Sequence, residues 1–167
     1  MSLPSIRPPP CLRPPADRLA FRVVLRDVKR HDSFETRELH LPIGSKVPIG
    51  RASKSVAKKE LMAAPDNIYI DSPVMSRSHA ILSVGGEADT PQFFITDSDS
   101  MHGTMLNGRS LAPDQPERLT PGDLLQFGVD INRNEGASSQ YRSLHLAMST
   151  ADFPLLHSFL RRPPIRL

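Results

Sequence analysis

The sequence has no tryptophan, a single cysteine, and only 5% aromatic residues among 167. The one cysteine, Cys11, excludes an internal disulfide and any metal site built from several thiolates. It fits a reducing compartment, so a cytoplasmic or nuclear location is expected. No apolar run approaches the ~18 residues of a membrane-spanning helix, and the first residues lack the apolar stretch of a secretory signal. No membrane span is therefore expected. The formal net charge is only +3. That permits an acidic partner but lacks the clustered basic bias of a nucleic-acid binder. No Walker-type glycine loop and no paired nucleophile and base can be found. The chain is expected not to be an enzyme, and no catalytic residue, metal or cofactor is expected.

Proline is abundant, with 17 in the chain. Nine lie near the ends: Pro4, Pro8, Pro9, Pro10, Pro14, Pro15, Pro154, Pro163 and Pro164. Residues 1–17 hold too little apolar material to fold, and read as a disordered Pro-rich tail or as a ligand segment for another module. Residues 18–150 are long enough to bury a core. Residues 151–167 form a C-terminal tail with an apolar cluster, Phe153, Leu155, Leu156, Phe159 and Leu160, that could pack back or dock a partner.

Between the tails, short apolar stretches alternate with turn formers. Residues 19–28, 39–43, 47–49, 68–70, 79–84, 93–96, 104–106, 110–111, 124–127 and 141–148 read as strands. A hairpin loop is expected over 85–90 and a polar loop over 132–140. Ser53 to Ala64 is rich in helix formers and is stopped by Pro65, so a short helix is expected in the long loop after the third strand. Ten or eleven short strands with frequent turns make an all-β sandwich.

Three loops hold the residues that could do chemistry. Gly50-Arg51 follows a strand: glycine allows close backbone approach, and the guanidinium is a planar fork suited to phosphate. Ser76-Arg77 adds a hydroxyl and a second guanidinium just before another strand. Arg51, Ser76 and Arg77 together have the composition of a phosphate cradle. His79 could act as a general base or as a structural histidine bonding neighbouring loops, and the missing nucleophile favours the second. The third loop, Asp97 to Gly108, is a dense run of turn formers ending in Asn107-Gly108, a strong hairpin signal. Asp97, Asp99 and His102 could suggest a metal, but turn formation explains them more simply.

Four motifs stand in order: Gly50-Arg51; Ser76-x-x-His79; Asp97-x-x-Ser100-x-x-Gly103-Thr104-x-x-Asn107-Gly108; and Leu119-x-x-Gly122-Asp123-x-Leu125-x-Phe127-Gly128. Together they resemble a forkhead-associated (FHA) domain. The resemblance implies an FHA-type sandwich of about eleven strands in two sheets, binding phosphothreonine peptides through loops at one end. It implies that Arg51 and Ser76 contact the phosphate, and that Arg77 contacts phosphate or peptide backbone. Gly50, His79, Gly103 and Asn107 would shape and brace the loops. Met101 and His102 depart from the Thr or Ser and the Asn that often stand at those places in the family. Methionine cannot donate a hydrogen bond, whereas His102 can replace asparagine in part. If these departures abolish peptide binding, a phosphorylation-independent interaction module remains.

A narrower likeness lies in Asn67-x-x-x-Asp71-x-x-Val74-x-Ser76-Arg77-x-His79-Ala80 and in Leu125-Gln126-Phe127-Gly128-Val129-Asp130. These stretches resemble the FHA domains of the sarcolemmal membrane-associated protein and fungal factor-arrest family. That likeness implies a signalling adaptor whose phosphothreonine-containing partner belongs to a striatin-type phosphatase and kinase assembly. Lys54, Lys58 and Lys59 in the long loop could extend the positive field toward an acidic peptide, or could simply form a solvated face.

Overall fold

A computed structural model describes residues 20–28, 35–87, 89–130 and 144–149. The expected tails 1–17 and 151–167 and the expected loop over 132–140 lie outside the described residues. Eleven strands are described: β1 (Ala20–Asp27), β2 (Arg37–Pro42), β3 (Lys46–Arg51), β4 (Ile68–Ile70), β5 (Ala80–Glu87), β6 (Thr90–Asp97), β7 (Thr104–Leu106), β8 (Arg109–Ser110), β9 (Pro116–Leu119), β10 (Leu124–Phe127) and β11 (Leu144–Ser149). They form two sheets, one in the order β2-β1-β11-β10-β7-β8 and the other β4-β3-β5-β6-β9. This is the all-β, FHA-type sandwich that the turn spacing and the motifs imply.

The pleat sets the core. Successive side chains of a strand point to opposite faces, and β2 alternates strictly between buried Arg37, Leu39, Leu41 and exposed Glu38, His40, Pro42. Phe21, Val23 and Leu25 of β1 and Leu125 and Phe127 of β10 face Ile49, Leu82, Val84, Phe93 and Ile95 of the other sheet. Phe21 and Phe93 meet edge to face across the sandwich, with centroids 6.4 Å apart, the arrangement that ring quadrupoles favour.

β3 and β4 pair in parallel, Ile49 opposite Ile68. Parallel neighbours need a crossover of a dozen or more residues, and 52–67 supply it. The helix expected there is shorter than its sequence suggests and is a 3-10 helix, Val56–Leu61, broken at Lys58 by φ −125° and ψ 55°. None of its residues is buried. An isolated short helix without a packed face does not hold α geometry. Asn67 closes the crossover instead: its Oδ1 accepts from the N–H groups of Ala64 and Tyr69, and its Nδ2 donates to the Met62 carbonyl.

Two further differences are local. The expected loop over 85–90 is mostly strand, because β5 continues to Glu87 and β6 begins at Thr90. β9 has no counterpart in the pattern reading. It begins with Pro116, buries only Leu119, and lies at a sheet edge, where a missing N–H is tolerated. The Asn107-Gly108 turn is as expected. With φ of 51° and 81° the two residues join β7 to β8 as the hairpin twist requires.

Candidate functional site

Three connections approach one another at the end of the sandwich: the segment after β3, the β4–β5 loop (71–79) and the β6–β7 loop (98–103). Backbone pairing joins the first two. The Arg51 N–H donates to the Ser76 carbonyl at 2.8 Å, and the His79 N–H donates to the Ile49 carbonyl at 2.9 Å. Gly50 lies between these bonds, and a Cβ placed on it would collide with the Arg77 carbonyl oxygen. The glycine is needed for close approach of two backbones.

His79 ties both loops together. It is 0% exposed. Its Nδ1 accepts the Ser76 N–H at 3.0 Å, so its Nε2 carries the proton and donates to the Gly103 carbonyl at 3.2 Å. The ring stands edge-on to Phe127, with centroids 5.4 Å apart. Burial pushes its pKa below the usual imidazole range, against the opposing pull of the Gly103 bond and the Asp97 carboxylate, with a small further lowering from His102. Both nitrogens are engaged and the ring is shut away from solvent, so His79 cannot serve as a base toward a ligand.

The depressed pKa has a consequence for stability. The unfolded chain protonates this imidazole near pH ~6.5 while the fold resists it. The His79 contribution is therefore complete above that pH and is lost as pH falls through the lower folded value. Urea melts should show stability declining by up to about 1.4 kcal/mol per pH unit from this residue below pH ~6.5. A midpoint unchanged between about pH 7 and 5.5 would refute this linkage.

The β6–β7 loop is organised from beneath. Asp97 ends β6 on its inward face and is 2% exposed. Its Oδ1 accepts the Ser100 N–H at 2.9 Å, and its Oδ2 accepts the hydroxyls of Ser100 and Thr104. These bonds occupy the carboxylate and account for the Asp-x-x-Ser spacing without a metal. From above, the Met101 N–H donates to Ser76 Oγ at 3.0 Å. The Ser76 oxygen thus accepts from the protein, which leaves its hydroxyl proton to donate outward.

The result is an open cleft of about 320 Å3 lined by Arg51, Pro73, Val74, Met75, Ser76, Arg77, Met101 and His102. Five of the six residues expected to bind a ligand are thus neighbours. The sixth, Lys54, does not line it. Its Nζ pairs with Asp71 Oδ2 at 3.3 Å, on the crossover side. Asn107 also lies elsewhere: its amide donates to Asp123 Oδ1 and accepts the Leu124 N–H, both at 2.8 Å, bracing the β7–β8 hairpin against β10. Pro73 and Met75 were not named as binding residues in the sequence, and Val74 stood there only as part of the narrower likeness. For Pro73 and Met75 the signal is their position directly before Ser76, in a loop between strands.

The electrostatics are one-sided. Among the described residues, the side chains of Arg51 and Arg77 are exposed and have no hydrogen-bond or ion-pair partner, and no carboxylate lines the cleft. By contrast, Arg22 holds both oxygens of Glu38, and Arg109 holds Glu117. Two unneutralised guanidiniums beside an outward hydroxyl suit an anion with several acceptor oxygens.

Comparison with known proteins bears on the family and the fold. The family model described as "FHA domain" matches residues 47–128. An uncharacterised protein of Schizosaccharomyces pombe is 34% identical over 105 residues, covering 60% of this chain and 33% of its own length. Sarcolemmal membrane-associated protein of Mus musculus is 33% identical over 109 residues, covering 63% of this chain and 12% of its own. The chain thus spans about a third of one curated relative and about an eighth of the other. Among solved structures, the N-terminal FHA domain of Saccharomyces cerevisiae Rad53p, in complex with a phosphothreonine peptide, superposes with a TM-score of 0.54. It is 16% identical, covering 77% of this chain and 93% of that one, a likeness of fold.

Proposed function

Residues 47–128 belong to the FHA-domain family, and from that premise we propose that this chain recognises phosphothreonine peptides and acts as a signalling adaptor. The observation that carries this is the meeting of Arg51, Ser76 and Arg77 in one cleft whose described lining residues include no carboxylate. A phosphothreonine offers roughly −1.5 to −2 charge and three acceptor oxygens at neutral pH. In this reading Arg51 and Ser76 hold the phosphate, and Arg77 holds phosphate or peptide backbone. His102 lies against the peptide beside the phosphate. Gly50, His79 and Gly103 keep the loops in register, and Asn107 holds the adjoining hairpin.

Charge-assisted hydrogen bonds contribute about 1.5–3 kcal/mol each. Two or three of them, less the cost of ordering a peptide, suit a reversible signalling contact. The chain is read as a protein-interaction module, and His79 is unsuited to the one catalytic role considered for it. No helix among the described residues is long and apolar enough to cross a membrane. The proposed setting is cytoplasmic or nuclear. The likeness of the Asn67–Ala80 and Leu125–Asp130 stretches to sarcolemmal membrane-associated protein supports a partner in a striatin-type assembly.

Met101 favours a second reading. It is 83% exposed at the mouth of the cleft and brings no donor from its side chain. A module without that donor could bind its partner regardless of phosphorylation. A phosphothreonine peptide library, screened beside its unphosphorylated counterpart, separates the two. Phosphate-dependent capture is expected, with phosphothreonine favoured over phosphoserine. Absence of any phosphate-dependent capture would overturn the phosphothreonine reading.

A further inference from the structure

His102 lines the cleft, is only partly covered, and makes no hydrogen bond or ion pair with any described residue. Around it stand Arg51 from β3 and Arg77 from the β4–β5 loop, both exposed. Behind it lies His79, close enough for the two imidazoles to influence each other electrostatically. On its own loop, Asp97 is buried and committed to Ser100 and Thr104, and Asp99 is exposed, with a φ of 56°. Among the described residues, the cleft therefore holds two arginines and one imidazole, with no carboxylate in its lining to pair with them.

An imidazole is the one side chain whose ordinary titration range overlaps physiological pH. A phosphate dianion drawn between Arg51 and Arg77 is placed beside His102 and supplies the anion that a protonated ring pairs with. Resting on the phosphothreonine reading above, we propose that His102 is a third cationic ligand of the bound phosphopeptide and that binding is accompanied by net proton uptake onto its ring. The bound ring then donates a charge-assisted hydrogen bond to a phosphate oxygen. The peptide-bound state is favoured by mild acid.

The sign of the effect isolates the protein's share. A phosphothreonine loses part of its dianion as pH falls toward its second pKa of about 6. Without His102, binding should weaken slightly from pH 8 to 6.5. With His102, it should strengthen, because proton uptake on binding raises affinity as protons become available. A phosphate that raises the ring's proton affinity by about one pH unit can supply at most about tenfold, of which about 5-fold is expected between pH 8.0 and 6.5.

The test is isothermal titration of the whole chain with a histidine-free phosphothreonine peptide from the library. It is run at pH 8.0, 7.2 and 6.5, in two buffers of different ionisation enthalpy, on wild type and His102→Asn. Asparagine keeps a donor and an acceptor but cannot take the proton, and thermal melts verify that the variant folds. Wild type should bind about 5-fold more tightly at pH 6.5 than at pH 8.0, with net proton uptake. His102→Asn should show flat or slightly weakened binding in acid and no uptake. Wild-type affinity that is flat or falls in acid, or His102→Asn that keeps the acid gain, overturns the proposal while leaving phosphopeptide recognition intact. Binding at no pH overturns both.

Discussion

Arg51→Ala should lower affinity for a phosphothreonine peptide by about 100-fold and leave the melting temperature nearly unchanged. The size follows from the bonds removed. A guanidinium can bind a phosphate through two parallel N–H donors, each charge-assisted bond contributing about 1.5–3 kcal/mol, and about 2.7 kcal/mol is a factor of 100. The indifference of the fold follows from the side chain's position. It is exposed and unpaired among the described residues, while the Arg51 backbone N–H keeps its bond to Ser76 in the variant. Arg51→Lys should restore only part of the affinity, because an ammonium is a point charge without the planar fork. Fluorescence anisotropy with a labelled peptide gives the affinity, and a thermal melt gives the stability. Undiminished binding by Arg51→Ala would remove Arg51 from the site and, with it, the phosphate cradle as drawn.

Gly50→Ala should be the most damaging single methyl that can be added near the cleft. The new Cβ would meet the carbonyl of Arg77, a backbone atom that cannot swing away as a side chain does. Relief requires β3 and the β4–β5 loop to separate. That stretches the Arg51-to-Ser76 and His79-to-Ile49 backbone bonds, and it disturbs the His79 ring, whose partners lie on both loops. Overpacking alone costs about 1–3 kcal/mol. With the lost bonds, about 3 kcal/mol or more is expected, together with loss of peptide binding. Urea denaturation and a binding titration on the same preparation check both. A variant that melts and binds like wild type would show that the two backbones do not approach this closely in solution.

Much of the architecture was legible because alternation leaves a strong imprint. β2, β4, β5 and β6 each place apolar side chains on one face, and their sequences show it directly. β9 left no imprint. One buried leucine follows a proline and two charged residues, and Glu117 is held by Arg109, a pairing no local pattern reveals. The crossover helix was legible in kind but not in geometry, since propensity cannot show that Val56 is left 73% exposed with nothing to pack on.

The candidate site divides in the same way. Arg51, Ser76, Arg77, Met101 and His102 could be gathered from motif order, because each belongs to a short signature beside a strand end. That Lys54 would turn to Asp71 could not be foreseen, because the crossover's path sets its direction. Asp97 was legible as a turn former. Its place under the loop, with three hydrogen bonds on one carboxylate, follows only from its being the last inward residue of β6.

The bonds from Met101 to Ser76 and from His79 to Gly103 have one more consequence. They join chain segments about 25 residues apart, and both are made between groups of the protein itself. The cleft is preorganised, so an incoming peptide orders itself and not its receptor. Loops already fixed relative to one another carry no folding step on the association pathway. Encounter should therefore be fast and steered by the two arginines. Differences in affinity among partner peptides should lie mainly in how long each one stays.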